Sequence, residues 1–206
     1  MNGSEGLVTR LRATHLRDDD SFDDMLPEWG RQVSRGNWTP LAVARRAAEL
    51  LVTRPGTRVL DVGAGVGKLC IVGAVTTEGH FHGVEQREHF VAAARAAAVR
   101  LGARGVRFTC ANVTEFDWRP FDSYYLFNPF AEYYDVLLEP FDAAVAVDRE
   151  LHERYVRHVQ AQLGRAATGT RVVTYNGFGG DFPAGYRLEL GEPFDDNRLE
   201  LWIKDR

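Results

Sequence analysis

The sequence predicts an α/β fold of the doubly wound kind, and three observations carry that prediction. Apolar runs of strand length alternate with helix-length amphipathic stretches between Thr57 and Tyr175, as βαβαβ followed by αβ, and two alternating runs close the chain. The run Val59-Leu60-Asp61-Val62-Gly63-Ala64-Gly65-Val66-Gly67-Lys68-Leu69 is an apolar strand that stops in a glycine turn and opens a helix. The length, 206 residues, suits a single domain with a full core.

Composition narrows the function classes. A formal net charge of −4 disfavours a broad electrostatic footprint for nucleic acid, so no nucleic-acid partner is expected. Cys70 and Cys110 lie among apolar neighbours and read as small buried hydrophobes rather than a disulfide or metal pair. No zinc spacing of Cys or His occurs, so no metal is expected. His82, His89, His152 and His158 read as surface or strand positions. The polar, acidic N-terminus has no apolar signal core and no run reaches membrane length, so a cytoplasmic location without membrane association is expected. Oligomeric state is not legible.

Residues 1–35 are expected to form an N-terminal helical lid, with residues 36–206 as the ligand-binding domain. A disordered lead runs to about Gly6, and the acidic residues Asp18-Asp19-Asp20 and Asp23-Asp24 read as a solvated helix start ahead of Met25, Leu26 and Trp29. Gly36-Asn37-Trp38-Thr39-Pro40 is a turn in which Thr39 can cap a helix and Pro40 fits its first turn. Leu41, Ala44, Ala48 and Leu51 then recur at helical spacing.

Pro55-Gly56 breaks the chain before strand 1, Thr57 to Val62. A helix follows from about Val66 to Thr76, then strand 2 from Gly79 to Glu85. Arg87 to Leu101 is an alanine-rich helix with Phe90, Ala94, Ala97 and Leu101 on one face, ended by Gly102. Val106 to Cys110 is strand 3, and the Asn112 to Pro120 connection is too short for a full helix. Strand 4 spans Phe121 to Phe127 and a short helix Ala131 to Leu138, interrupted at Pro140. A helix from Asp148 to Leu163 carries Leu151, Tyr155, Val159 and Leu163 on one stripe and ends at Gly164. Strand 5 is Arg171 to Tyr175. The loop Asn176-Gly177-Phe178-Gly179-Gly180 follows, and Tyr186 to Leu190 and Arg198 to Lys204 pair as strands 6 and 7.

The glycine turn sets the chemistry. Gly63, Gly65 and Gly67 lack the G-x-G-x-x-G spacing of dinucleotide sites. Leu69 stands where a triphosphate-cradling loop needs Ser or Thr, and Val62 where it needs its first Gly. Asp61 places a carboxylate inside the strand just before the turn, which suits a ligand carrying an ammonium group rather than a phosphate. Glu85 ends strand 2, where a carboxylate in Rossmann-like sites accepts hydrogen bonds from ribose hydroxyls.

Asp61-Val62-Gly63-Ala64-Gly65-Val66-Gly67 resembles motif I of the class I S-adenosylmethionine-dependent methyltransferases. The resemblance implies a mostly parallel seven-stranded sheet in the order 3-2-1-4-5-7-6 with the last strand antiparallel. It also implies S-adenosylmethionine as cofactor, S-adenosylhomocysteine as product, and a turn that holds the methionine part. Trp38-Thr39-Pro40 resembles the segment that closes over the methionine carboxylate. Asn112-Val113 stands where the family reads and packs the adenine, often with Asp rather than Asn. Asn128-Pro129-Phe130 is similar to the Asn-Pro-Pro-aromatic motif of amino-directed methyltransferases but lacks the second proline.

Between Thr39 and Phe130 the chain looks most like the non-SET histone-lysine methyltransferases, through Gly65-Val66-Gly67-Lys68, His82-Gly83-Val84-Glu85 and the Asn128, Phe130, Ala131 pattern. That family usually has glutamine at the Lys68 position, and this chain lacks its basic tail. The implied cofactor-binding residues are Thr39, Asp61, Gly63, Ala64, Gly65, Lys68, Glu85, Gln86, Asn112, Val113 and Asn128. Asn128, Phe130 and Tyr133 are the candidate catalytic residues. Carbonyls of Asn128 can orient an amine's lone pair towards the sulfonium methyl group while Phe130 and Tyr133 wall the site. The expected activity is methylation of nitrogen in a protein lysine or small amine. O-methylation, a non-catalytic cofactor-binding partner and a nicotinamide oxidoreductase remain alternatives.

Overall fold

A computed structural model describes residues 19–32, 34–133, 148–194 and 196–205. Its seven strands form one sheet in the order β3-β2-β1-β4-β5-β7-β6. These are β1 (Arg58–Val62), β2 (His80–Glu85), β3 (Val106–Cys110), β4 (Ser123–Leu126), β5 (Arg171–Tyr175), β6 (Tyr186–Phe194) and β7 (Asn197–Lys204). Pairing of β1 with β2 and of β2 with β3 is parallel, whereas β7 pairs antiparallel with both β5 and β6. The order agrees with the sequence expectation. Backbone contacts divide the chain into two compact units, Met1–Tyr125 and Leu126–Arg206.

In the first unit three short helices, α1 (Asp19–Asp23), α2 (Glu28–Gln32) and α3 (Ser34–Asn37), precede α4 (Leu41–Leu51). The lead before Asp19, including Asp18, lies outside the described residues. Leu41, Ala44, Ala48 and Leu51 of α4 are all buried, as their helical spacing predicts. Thr39 does not cap this helix. Pro40 occupies the cap position without a side-chain hydrogen bond, and the first free N–H, that of Leu41, is taken by Asp19 Oδ1 at 3.0 Å. A distant carboxylate therefore does the capping that the local sequence suggested for a threonine.

The helix after the glycine turn, α5 (Lys68–Thr76), starts later than expected because Gly67 is left-handed, with φ of 76°. α5 is apolar almost all round, the mark of a helix with no solvent face, and Lys68, Leu69, Cys70, Ile71, Val72 and Gly73 are all buried. Gly73 has a packing reason, since a Cβ there would collide with the Phe81 ring of β2. In α6 (Glu88–Arg100), Phe90, Ala94 and Ala97 are buried on the predicted face, and left-handed Gly102 follows its end. Between β3 and β4 there is a single 3₁₀ turn, Val113–Glu115, as the short connection requires.

Strand 4 is shorter than the sequence implies. Phe121 and Asp122 stay outside it because the Asp122 carboxylate accepts from the Arg58 N–H (2.9 Å), Nε (3.1 Å) and Nη2 (2.9 Å), fixing the chain at the strand's entry. Cys110 is also not the buried hydrophobe expected. It ends edge strand β3 and is exposed, while Cys70 is buried in α5.

In the second unit the expected helix after strand 4 is a 3₁₀ turn, Ala131–Tyr133. The rest of that expected helix, with Tyr134 and the break at Pro140, lies in residues 134–147, outside the described residues. Helix α7 (Arg149–Arg165) is capped by Asp148, whose carboxylate accepts from the Leu151 N–H at 2.9 Å. Tyr155, Val159 and Leu163 are its buried stripe. Gly164 does not end this helix, which runs one residue further. A Cβ at Gly164 would meet nothing within 4 Å, so neither strain nor packing requires a stop there. β6 runs past Leu190 to Phe194 because a register shift between Leu188 and Leu190 restores its pairing with β7.

Helix propensity alone would have Gly73→Ala stabilise α5 by roughly 1 kcal/mol. The contact with Phe81 reverses the sign. Urea denaturation is expected to show the variant less stable by about 1–3 kcal/mol.

Candidate functional site

The candidate residues of the first unit gather at the C-terminal ends of parallel strands β1 and β2. The strand order turns back between β1 and β4, and ligands in open α/β sheets bind beyond the carboxyl ends of strands at such a reversal. Gly63, Gly65 and Gly67 have φ of 74°, 53° and 76°, a run that only glycine adopts without strain. The N–H groups of Gly63 and Ala64 both donate to the Val84 carbonyl at 3.0 Å, which ties the turn to β2. Close approach is possible because Gly83 has no Cβ; one there would lie 2.6 Å from Ala64 Cβ.

The three glycines then differ. Gly63 is exposed, whereas Gly65 and Gly67 are buried. A Cβ on Gly65 would lie 2.6 Å from the Trp38 ring, and one on Gly67 would lie 2.5 Å from the Phe108 ring. Two of the glycines therefore make room for aromatic side chains of the same unit.

Glu85 is buried at the end of β2. Its Oε2 accepts from the Gly65 N–H at 3.2 Å and its Oε1 from the Arg87 N–H at 2.9 Å. The Arg87 guanidinium lies 3.6 Å from Oε1. Gln86 follows at an exposed position.

Asp61 is 4% exposed and accepts from the Cys70 thiol at 3.4 Å. Burial pushes its carboxyl up to about 7. The thiol hydrogen bond opposes that shift and the nearby Glu85 charge adds to it. Burial also raises the Cys70 thiol.

Lys68 opens the helix directly after the glycine turn. It is 3% exposed, and its Nζ donates to Asp19 Oδ1 at 2.8 Å and to Ser34 Oγ at 3.2 Å. Asp23 Oδ1 is a further ion-pair partner at 2.8 Å. The acidic run is thus partly a buried counterion set rather than a solvated helix start. No local sequence signal marks it, because the partners lie 49 and 34 positions away. Thr39 is also buried, its Oγ1 3.0 Å from the Tyr125 hydroxyl at the end of β4. Asn112 Oδ1 accepts from both the N–H (2.9 Å) and the hydroxyl (2.7 Å) of Thr114, shaping the turn that presents buried Val113.

In the second unit Asn128 is left-handed, with φ of 35°, an uncommon state for a residue with a side chain. Its N–H donates to the Gly177 carbonyl at 3.0 Å and its carbonyl accepts from the Ala131 N–H at 3.2 Å. Phe130 and Tyr133 are buried, and both pack on Tyr155 of α7. The Phe130 ring stacks at 4.9 Å and 12°, and the Tyr133 ring lies 5.5 Å away. Among the described residues no group of three His, Cys, Asp or Glu could hold a metal ion, and no helix is long and apolar enough to cross a membrane.

Residues 53–150, a little under half of the chain, match a family model described as a methyltransferase domain. Curated protein sequences yield no match. Among solved structures, an RNA methyltransferase from Salinibacter ruber in complex with S-adenosyl-L-homocysteine is 21% identical. The match has a TM-score of 0.59 and covers 82% of this chain and 94% of that one. TrmN from Thermus thermophilus is also 21% identical, with a TM-score of 0.62 over 86% of this chain, which spans 52% of that protein. Magnesium protoporphyrin IX methyltransferase from Synechocystis PCC 6803 with bound S-adenosylmethionine is 15% identical, with a TM-score of 0.57 and coverage of 100% and 98%. The fold shared with these structures is the class I methyltransferase fold.

The raised Asp61 pKa has a definite sign for stability. An unfolded Asp titrates near 4. Between about pH 4 and 7 the unfolded state is ionised while native Asp61 holds its proton, so stability falls as pH rises through that window. Urea denaturation from pH 4 to 8 is expected to show this loss in the wild type, on the order of 3 kcal/mol, and its absence in Asp61→Asn. Parallel pH profiles for the two proteins would refute the assignment.

Proposed function

We propose that the protein is an S-adenosylmethionine-dependent methyltransferase that transfers the methyl group to nitrogen, with a protein lysine or a small amine as acceptor. The observation that carries the reading is a pair of buried carboxylates, Asp61 next to the end of β1 and Glu85 at the end of the adjacent parallel β2, beside a left-handed glycine turn. A turn built for phosphate would offer N–H groups to an anion. Here the Gly65 N–H is already given to Glu85, and a cationic ligand beside Asp61 would favour its carboxylate over the protonated form that burial favours.

In this reading Asp61 meets the ammonium group of the methionine part, and Glu85, at the end of β2, accepts from the ribose hydroxyls. Exposed Gly63, with Ala64, supplies the floor of the turn. Val113 packs an adenine face, and Asn112 acts by shaping its turn rather than through an uncommitted carbonyl. Thr39, Gln86 and Lys68 complete the cofactor side, Lys68 acting indirectly.

The cofactor supplies an electrophilic methyl group on sulfur. The chain must present an unprotonated lone pair in line with it. Asn128 is suited to accept from an amine because its backbone is already pinned and, among the described residues, its side-chain amide makes no hydrogen bond. Pro129 contributes no N–H to compete. Phe130 and Tyr133, fixed on Tyr155, serve as the aromatic wall.

Calorimetric titration with S-adenosylmethionine and S-adenosylhomocysteine is expected to show binding that Glu85→Ala weakens roughly tenfold or more, the scale of a lost charged hydrogen bond. A folded wild type that binds neither compound would overturn the cofactor assignment. Asn128→Ala is expected to abolish methyl transfer to amine acceptors while leaving cofactor affinity within about twofold. Loss of both would confine Asn128 to the cofactor and favour an oxygen acceptor.

A further inference from the structure

Lys68 is the first residue of α5, where a cation opposes the helix dipole, and it is almost wholly buried. Both features cost stability unless something offsets them. What offsets them is the segment that precedes α4. Asp19 and Asp23 of α1 and Ser34 of α3 surround the ammonium group at 2.8, 2.8 and 3.2 Å, and the Phe22 ring lies 5.4 Å below it. Asp19 Oδ1 also receives the Leu41 N–H, so one carboxylate joins α1 to the starts of both α4 and α5.

The same segment lies on the glycine turn. The Trp38 ring sits against Gly65, and its Nε1 donates to the Gly30 carbonyl at 3.0 Å. Trp29 stacks on Phe90 of α6 at 5.0 Å and 13°, and Trp38 meets the same ring edge-on at 5.2 Å. A ligand that enters or leaves across Gly65 must displace Trp38, and Trp38 is carried by a segment that holds the start of α5 through one lysine.

We propose that Lys68 is a positioning residue that latches residues 19–32 and 34–38 over the glycine turn and thereby sets how fast cofactor and product exchange. The proposal rests on the cofactor reading above for its ligand, but the latch itself is a property of the ligand-free protein. Lys68 touches no reacting atom. It acts through Asp19, Asp23 and Ser34 on Trp38, which covers the turn. Lys68→Met removes the ammonium group and leaves the carboxylates to repel each other; the triple variant Lys68→Met with Asp19→Asn and Asp23→Asn removes that repulsion too.

The test has two arms. In ligand-free protein, hydrogen exchange is measured at the amides of Gly30 and Trp38, which donate to Pro27 and Ser34 carbonyls. Lys68→Met is expected to speed exchange there about tenfold or more relative to β2 and α6. Val159→Ala, a destabilising change in α7, should not produce that selective rise. The second arm follows dissociation of S-adenosylhomocysteine by stopped-flow tryptophan fluorescence. Dissociation is expected to accelerate about tenfold in Lys68→Met, and the triple variant should recover part of the difference in both arms.

Unchanged exchange at Gly30 and Trp38 would overturn the latch. Faster exchange with unchanged product dissociation would overturn its role as a gate. A wild type that does not bind S-adenosylhomocysteine would overturn the gate together with the cofactor reading, and the exchange arm would still decide the latch. Should Lys68→Met fail to fold, Asp19→Asn, which alters the half-exposed partner alone, is measured in its place with the same directions expected.

Discussion

The constraint on which the first unit depends is the lack of side-chain volume along residues 63–67. Three left-handed glycines let the chain leave β1 and enter α5 within a few residues. The space vacated by the missing Cβ atoms is used by Trp38 at Gly65 and by Phe108 at Gly67, and Gly83 beneath the turn does the same for Ala64. Local backbone geometry, aromatic packing and the position of Glu85 are therefore one arrangement. The carboxylate that ends β2 is also the one that receives the Gly65 N–H. Changing any of these groups moves the others.

Charge is buried around this turn in three different ways. Glu85 accepts from two backbone N–H groups and lies beside a guanidinium. Asp61 has a thiol as its hydrogen-bond donor, a weak partner, and its proton is held up to about neutral pH. Lys68 is neutralised by two carboxylates from another segment. The sequence shows only that three ionisable residues lie near a glycine turn. Their partners decide how each is held: Glu85 by backbone N–H groups and a guanidinium, Asp61 by a thiol, and Lys68 by carboxylates of the N-terminal helices.

In the second unit the organising residues are two left-handed asparagines. Asn128 follows β4 and Asn176 follows β5, with φ of 35° and 60°. Asn176 exchanges hydrogen bonds with Arg198 of β7, its N–H going to the Arg198 carbonyl and its Oδ1 accepting the Arg198 N–H. Asn128 is pinned instead by the carbonyl of Gly177. Asparagine tolerates this backbone region better than most residues, which makes such a turn possible without glycine. The arrangement fixes the backbone of Asn128 just after β4.

What the sequence determined by itself is whatever depends on short-range pattern. Strand and helix periods, the glycine spacing and the short connection after Asn112 all act over a few residues, and they place the strands and helices in the right order while several ends shift by one or more residues. The sheet order was legible too, through resemblance in the motif around the turn. What only the tertiary structure decided is which distant groups meet. Thr39 is spent on Tyr125 rather than on a helix cap, because Asp19 reaches the cap first. Cys110 is exposed because β3 is an edge strand, a fact of sheet order and not of neighbouring residues. Lys68 finds its counterions 49 and 45 residues back along the chain. A buried ion pair leaves no periodic trace in sequence, since its specification is a coincidence of two surfaces that exist only after the strands and helices have packed.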